Sequence, residues 1–258
     1  MSRLVVVTGA ASGIGAAVRR LLEERGDRVL GVDLKDTEVC ADLSTAEGRA
    51  AAVAGVLEVA GGVVDGVVTC AGLSGSSPAL PAVNFFGTTD VVAGLRPALA
   101  ASAAPRVVLV GSISGTQPVD QALVEALLAG DLDESARLTE AALADGRPQQ
   151  LYPSSKSAVT QWARRTAVSP GWADAGIAVN VVAPGVVLTQ MTTDLFADPR
   201  MKKVMDTAVP MPLHGYAAPE DIARVIGVLA SPEITHVTGQ VLYVDGGAEA
   251  TLRSPAHF

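Results

Sequence analysis

The sequence predicts an α/β protein built on one doubly wound parallel sheet. Three observations carry this. Short valine-rich runs alternate with helical stretches along the chain, the pattern of strands covered on both faces by crossover helices. The first run ends in a glycine turn that opens a helix. The 258 residues contain neither an internal repeat nor a linker, so a single domain spans 1–258.

In order, Leu4–Val7 reads as a buried strand and Ser12–Arg25 as a helix. Gly26-Asp27 breaks the chain before a second strand, Arg28–Val32. A helix follows over Thr45–Ala60 with Ser44 as its N-cap. Val63–Thr69 is a strand, Val83–Ala100 a helix and Arg106–Val110 a strand. Ser154–Val168 is a helix, Ala178–Val182 a strand, Pro219–Leu229 a helix and Val241–Val244 the last strand. Right-handed crossovers turn this order into a doubly wound sheet.

Two segments interrupt the alternation. Residues 113–151 form an insertion in which Val119–Ala129 and Asp131–Ala144 read as short helices separated by Gly130. Leu123, Leu127 and Leu128, then Leu138 and Ala142, fall at helical spacing. The segment is a packed surface hairpin, a cap over a cleft or a reshaped subunit interface. Residues 188–213 hold Met191, Met201, Met205 and Met211, joined by Leu195, Phe196, Val209 and Leu213. Methionine suits surfaces that adapt to apolar shapes, so we read this segment as a lid over a substrate rather than as core.

With 27 acidic and 19 basic side chains the net charge is −8. An acidic chain without a basic run argues against nucleic acid or an anionic membrane surface as partner. No apolar stretch approaches the roughly 18 residues of a membrane helix. The N-terminus lacks the apolar core of a signal peptide, so a cytoplasmic location is expected. Cys40 and Cys70 cannot form a disulfide framework, no Cys/His spacing suits zinc, and His214, His236 and His257 are too scattered for a metal site.

The first strand runs into Thr8-Gly9-Ala10-Ala11-Ser12-Gly13-Ile14-Gly15. Small residues permit a tight turn, and the helix that follows directs unpaired N–H groups and its positive end at a pyrophosphate. Asp33 ends the second strand, twenty residues after Gly13. A carboxylate there accepts the ribose hydroxyls of NAD and repels the 2′-phosphate of NADP. Residues 10–12 contain no arginine, so the expected cofactor is NAD.

Tyr152-Pro153-Ser154-Ser155-Lys156 puts a phenol and an ammonium four residues apart, on one face of a helix. Pro153 suits its first turn. A free phenol ionises near pH 10, so proton exchange at neutral pH asks for about 4 kcal/mol of preferential stabilisation of the phenolate. A neighbouring lysine ammonium and the positive ring of an oxidised nicotinamide act in that direction. Ser112 closes a strand in Val110-Gly111-Ser112-Ile113-Ser114-Gly115, where it faces the ligand crevice and can hydrogen-bond a carbonyl oxygen. Asn84, among the apolar residues of Val83-Asn84-Phe85-Phe86-Gly87, taken alone is a satisfied core amide.

These motifs, with Asp42-Leu43, Cys70-Ala71-Gly72, Pro184-Gly185 and Asp245-Gly246-Gly247, resemble the short-chain dehydrogenase/reductase family over essentially the whole chain. The resemblance implies a Rossmann-type fold and a homo-oligomer, dimer or tetramer. It implies that Tyr152 is the general acid/base, that Ser112 orients the reacting oxygen, and that Lys156 holds the nicotinamide ribose and lowers the Tyr152 pKa. Asn84 would position a water in the proton relay. Gly9, Ser12, Gly13, Ile14 and Gly15 would line the pyrophosphate, with Asp33 and Leu34 at the adenosine ribose and Asp42 and Leu43 at the adenine. Cys70, Ala71 and Gly72 would pass the cofactor by backbone, and Pro184, Gly185, Val187 and Thr189 would meet the carboxamide end.

Two departures stand out. Cys70 replaces the usual asparagine, losing a side-chain hydrogen bond, and the insertion before Tyr152 is longer than usual. Both are similar to a bacterial 3α-hydroxysteroid dehydrogenase/carbonyl reductase subgroup, as are Ala41–Arg49 and Val83–Gly87. The resemblance implies NAD(H)-dependent interconversion of a secondary alcohol and a ketone on a small apolar substrate, a 3α-hydroxysteroid or 3-ketosteroid. An aromatic-alcohol (coniferyl-alcohol-like) dehydrogenase, a xenobiotic carbonyl reductase and a non-catalytic dinucleotide sensor are the alternatives. The insertion obstructs the family's usual helix pairing near Asn84 and Tyr152, which points to a dimer through another face.

Overall fold

The computed structural model describes residues 2–189, 192 and 198–256. Seven strands form one all-parallel sheet in the order β3-β2-β1-β4-β5-β6-β7, a Rossmann-type arrangement. They are β1 (Leu4–Thr8), β2 (Arg28–Asp33), β3 (Val39–Cys40), β4 (Gly66–Thr69), β5 (Arg106–Val110), β6 (Ala178–Pro184) and β7 (Val241–Val244). The order reverses between β1 and β4, and the crevice at that point is where such sheets bind ligands.

Helices cover both faces. Among the described residues they are α1 (Gly13–Glu24), α2 (Ala46–Ala60), α3 (Gly87–Ala100), α4 (Gln121–Ala129), α5 (Leu132–Ala144), α6 (Leu151–Thr166), α7 (Pro199–Ala208), α8 (Pro219–Leu229) and the short α9 (Ala248–Leu252). Alternate strand residues divide the core. Val6, Leu30, Val67 and Val107 pack on the face of α2, α3 and α6, whereas Val5, Val7, Val29 and Val68 pack on the face of α1 and α8. Both faces are apolar because both are covered.

Several boundaries differ from the sequence expectation for physical reasons. The cap of α2 is Thr45, whose hydroxyl accepts the Gly48 N–H at 2.9 Å, not Ser44. The strand expected from Val63 begins at Gly66: Gly61 and Gly62 are both left-handed and Val63 is exposed. The helix expected from Val83 opens instead with a wide π turn, Pro81–Phe86, that carries Asn84 before α3 begins. Helix α6 starts at Leu151, three residues early, which places Tyr152 inside its first turn. The two-residue β3 is too short to show a period in the sequence.

The insertion folds as two helices capped by Asp120 and Asp131. Leu123, Leu127 and Ala142 are buried, with α4 packed on α6 and α5 on the π turn. The Met-rich segment is split: Met201 is exposed, and Val209 is buried in a small cluster with Ile113, Val186 and Ala248 against which Met205 and Met211 pack. Met191, Leu195 and Phe196, and His257 at the tail, lie outside the described residues.

Gly9 (φ +69°) lets β1 approach the loop after β4: a Cβ there would stand 2.7 Å from the Ala71 amide nitrogen. Gly9→Ala should cost about 1–2 kcal/mol for the left-handed backbone alone, plus the overlap with Ala71. Urea denaturation should show a lower midpoint with an unchanged slope.

Candidate active site

The site starts at the head of α1. Its N-cap residue, Ser12, makes no side-chain cap bond and the first turn holds no acidic residue, whereas α2, α4 and α5 are each capped by a side chain. The N–H groups at the start of α1 are thus left for an anion. Gly15 permits the turn, since a Cβ there would stand 2.0 Å from the Gly9 carbonyl oxygen. Ile14 is half-buried against the core, and Gly13 faces Thr189, whose methyl would stand 3.4 Å from a Cβ at 13. This cradle fits a pyrophosphate.

At the end of β2, Asp33 Oδ2 accepts the Ala11 N–H at 3.0 Å and Oδ1 the Leu34 N–H at 2.7 Å. Each oxygen keeps acceptor capacity for a diol. The Leu34 side chain is exposed beside it, and Leu43 is buried with its carbonyl held by Arg49 Nη1 at 3.3 Å. Asp42 accepts the Ser44 N–H at 2.9 Å, and its hydrogen bonds to Ser44 hold its carboxyl below the ordinary value.

The loop after β4 leads from this cradle to the π turn and passes beside α6. Ala71 N–H donates to Thr8 Oγ1 at 3.2 Å, which fixes the Cys70-Ala71-Gly72 backbone. Gly72 leaves room between two polar atoms: a Cβ there would lie 3.3 Å from Asn84 Oδ1 and 3.7 Å from Lys156 Nζ. Burial pushes the Cys70 thiol up to about 12, against the pull of the Lys156 charge. It stays protonated and is no nucleophile.

Asn84 is 1% exposed and its amide is fully engaged. Oδ1 accepts the Leu73 N–H at 2.7 Å; Nδ2 donates to the Leu73 carbonyl at 3.0 Å and to Ser155 Oγ at 3.1 Å. Ser155 in turn donates to the Tyr152 carbonyl at 2.8 Å. Sequence reasoning singled out neither Ser155 nor Thr8; the signal for Ser155 was its place three residues after Tyr152.

Lys156 is 6% exposed and donates to the Val110 carbonyl at 2.9 Å, with Nζ 5.7 Å from the centroid of the Tyr152 ring. Burial lowers its pKa to about 8, opposed by Cys70. The ammonium therefore persists at neutral pH without a carboxylate partner. Ser112, at the carboxyl end of β5, is buried and accepts the Ser114 N–H at 3.1 Å. Burial pushes the Tyr152 phenol above its ordinary value, and the hydrogen bond from Ser112 opposes this. Burial is thus the larger effect on the phenol in the protein alone; the Lys156 ammonium, placed over the ring, spends one donor on Val110.

Past β6, Gly185 N–H donates to the Val244 carbonyl at 3.1 Å, and a Cβ at 185 would stand 2.9 Å from Met211 Sδ. Pro184 is the last residue of β6, and Val187 is buried in a bridge to Ala217. Thr189 N–H donates to Thr192 Oγ1 at 2.9 Å. The structure thus brings Gly9 against Ala71, Gly13 against Thr189, Gly72 against Asn84 and Lys156, and Ser112 against Tyr152, with Asp33 at the end of β2 and Asp42 and Leu43 just after β3. Among the described residues no group of three His, Cys, Asp or Glu side chains could hold a metal ion, and no helix is long and apolar enough to cross a membrane.

A lysine whose folded pKa is lowered costs stability wherever both states bind the proton. That cost is fully present below about pH 8 and is relieved as pH rises toward the ordinary value of 10.5. Urea melts should therefore show the wild type gaining stability relative to Lys156→Met across that interval.

Comparison with known proteins agrees with this geometry. A family model described as short chain dehydrogenase matches residues 3–124, and one described as enoyl-(acyl carrier protein) reductase matches residues 138–249. The chain is similar to the 3-alpha-hydroxysteroid dehydrogenase/carbonyl reductase of Comamonas testosteroni, at 36% identity over 99% of each chain. It is 34% identical to the cis-4-hydroxycyclohexanecarboxylate dehydrogenase of Sinomonas cyclohexanicum, over 96% of this chain and 97% of that one. The crystal structure of the 3-alpha-hydroxysteroid dehydrogenase from Pseudomonas sp. B-0831 complexed with NADH superposes with a TM-score of 0.88 at 42% identity, covering 98% of this chain and 99% of that one. With motifs, topology and relatives in agreement, the chain belongs to the short-chain dehydrogenase/reductase family and is an oxidoreductase.

Proposed function

We propose that the protein is an NAD(H)-dependent dehydrogenase/reductase interconverting a secondary alcohol and a ketone on an apolar substrate, a 3α-hydroxysteroid or 3-ketosteroid. The observation that carries this is the meeting of Ser112, Tyr152 and Lys156 in the crevice that begins at the uncapped head of α1. The names of the two hydroxysteroid dehydrogenases similar to this chain support the substrate class. We place the enzyme in the cytoplasm.

When bound, a nicotinamide dinucleotide supplies or accepts the hydride. Backbone N–H groups at the start of α1 hold its pyrophosphate, and Asp33 holds the adenosine ribose, its charge favouring NAD over NADP. Leu34, Asp42 and Leu43 would border the adenosine, and Pro184, Gly185, Val187 and Thr189 the carboxamide. Ser112 donates to the carbonyl oxygen of the substrate, and Tyr152 gives or takes the proton on that oxygen. Lys156 binds the nicotinamide ribose and keeps positive charge beside the phenol. That charge and the positive ring of the oxidised dinucleotide act against the burial that raises Tyr152. Asn84 orders the Leu73 turn and the start of α6, and a relay water rests on that frame.

The wall beside Ser112 is apolar, formed by Ile113, Val186 and Val209 with Met205 and Met211. The basic residues of the 188–213 segment, Arg200, Lys202 and Lys203, are exposed, and Lys202 is paired with Asp206 at 2.9 Å. This suits a neutral apolar substrate, with residues 198–213 of the segment at its side.

For the assembly, helices α4 and α5 cover α6 and the π turn, the surface that the usual family pairing would need. The exposed apolar side chains include Val228 on α8 and Leu242 on the edge strand β7. We read a homodimer through that edge. X-ray scattering should give a dimer that Leu242→Asp dissociates, and a tetramer closed through α3 and α6 would contradict it.

Tyr152→Phe should reduce turnover by at least about a thousandfold, within the range for loss of a general acid/base, while NADH affinity measured by fluorescence stays nearly intact. Wild-type-like turnover in that variant would refute the mechanism. In kcat/KM compared side by side, androsterone should exceed coniferyl alcohol; the reverse order would move the substrate class to aromatic alcohols.

A further inference from the structure

Near the Asp33 carboxylate stands a cation that the dinucleotide reading leaves unused. Arg19, in the second turn of α1, donates Nη2 and Nη1 to the two oxygens of Glu38 at 2.6 and 3.1 Å, and Nε to Glu23 at 2.9 Å. Glu38 also accepts the Gly31 N–H at 2.9 Å, at the point of β2 where the neighbouring β3 has not yet begun. Arg19 is thus gripped in a bidentate fork, the geometry in which guanidinium binds carboxylate and phosphate alike. The fork favours both charged forms. The Glu38 hydrogen bond chiefly raises Arg19. For Glu38, burial pushes upward but is outweighed by the bonds from Arg19 and from backbone N–H groups.

Gly31 shows where this pair sits. A Cβ at 31 would stand 3.0 Å from Arg19 Nη1, from Glu38 Oε2 and from the Ala10 methyl. Ala10 belongs to the glycine turn, and Gly31 lies two residues before Asp33 on the same face of β2, about 7 Å along the strand. That separation is within the screening length of about 8 Å at physiological ionic strength. The neighbourhood carries one guanidinium, Arg19, and one ammonium, Lys35, against the carboxylates of Glu23, Asp33, Asp36 and Glu38.

We propose that Glu38 is a second determinant of dinucleotide choice: it occupies Arg19, so that a phosphate on the adenosine 2′-hydroxyl meets carboxylates and no available guanidinium. The inference rests on the NAD(H) reading above and deepens it. Carboxylate and phosphomonoester compete for one fork. Once Glu38 is neutral, the remaining partner is the exposed i,i+4 pair with Glu23, which holds an arginine only weakly. Loss of the Asp33 charge alone removes repulsion without supplying a phosphate ligand; loss of both charges also releases Arg19.

The test is calorimetric titration of NADH, NADPH and adenosine 2′-phosphate into the full chain. The proteins are the wild type, Asp33→Asn, Glu38→Gln, the double variant, and the double variant with Arg19→Met. Asparagine at 33 keeps an oxygen for the Ala11 N–H and glutamine at 38 keeps one for Gly31, and thermal melting checks that each folds. The double variant should bind NADPH about tenfold more tightly than Asp33→Asn alone, a difference of about 1.4 kcal/mol. Adenosine 2′-phosphate, which carries only the ribose end, should show the same gain, and Arg19→Met should abolish it. A double variant no better than Asp33→Asn, or a gain that survives Arg19→Met, overturns the inference and leaves the NAD(H) reading standing. Failure of the wild type to bind NADH overturns both.

Discussion

The active-site region depends on one buried amide. Asn84 uses its oxygen and both N–H bonds to hold Leu73 on one side and Ser155 on the other. Leu73 continues the loop that skirts the glycine turn, and Ser155 sits in the first turns of α6, where it takes hold of the Tyr152 carbonyl. One side chain thereby sets the distance between the cradle for an anion and the helix that carries the phenol. A fully satisfied polar group in a low-dielectric interior specifies geometry more sharply than apolar packing does, because a half-made network is costly. The π turn serves this end: it widens the chain at 81–86 so that Asn84 points inward beside Phe85 and Phe86, which pack edge to face at 5.3 Å.

Electrostatics adds a second constraint. The Lys156 ammonium is buried against a carbonyl rather than a carboxylate, and its pKa falls accordingly. Burial works against both members of the Tyr152–Lys156 pair, raising the acid and lowering the base, so each is held closer to neutrality of charge than in water. At neutral pH the pair is thus a charged ammonium beside a neutral phenol. Further positive charge placed beside the phenol would act against the burial that raises it.

Much of this was legible in the sequence. The valine runs and the glycine turn imply the sheet and its switch point because both are local patterns with few alternatives. Tyr152, Lys156, Ser112 and Asp33 follow from spacing and from their places at strand and helix ends. What was not legible depends on contacts distant in the chain. The π turn is fixed by Asn84 meeting Leu73 and Ser155, the latter 71 residues away. The upward displacement of the phenol follows from burial, which a motif does not encode. Cys70, conspicuous as a departure from the family pattern, proved to be an inert thiol beside a backbone that Thr8 already holds.

The insertion shows how an added element is tied to chemistry without contributing to it. Ser154, two residues past Tyr152, accepts the Asp120 N–H at 2.9 Å and donates to the Gln150 carbonyl at 2.7 Å. Arg147 reaches back from the end of the insertion to Asp120 at 2.9 Å and to Gln150 at 2.9 Å, and the Arg147 hydrogen bond chiefly lowers the Asp120 pKa. The beginning and the end of the inserted hairpin are thus fastened to each other and to the first turn of α6. Its outer positions, Asp133, Arg137 and Glu140, are exposed and charged, while Leu123, Val124 and Leu127 are buried in the core cluster. The support is intramolecular: buried leucines of α4 pack on α6 from outside while the Asp120–Arg147 pair anchors its N-terminal end.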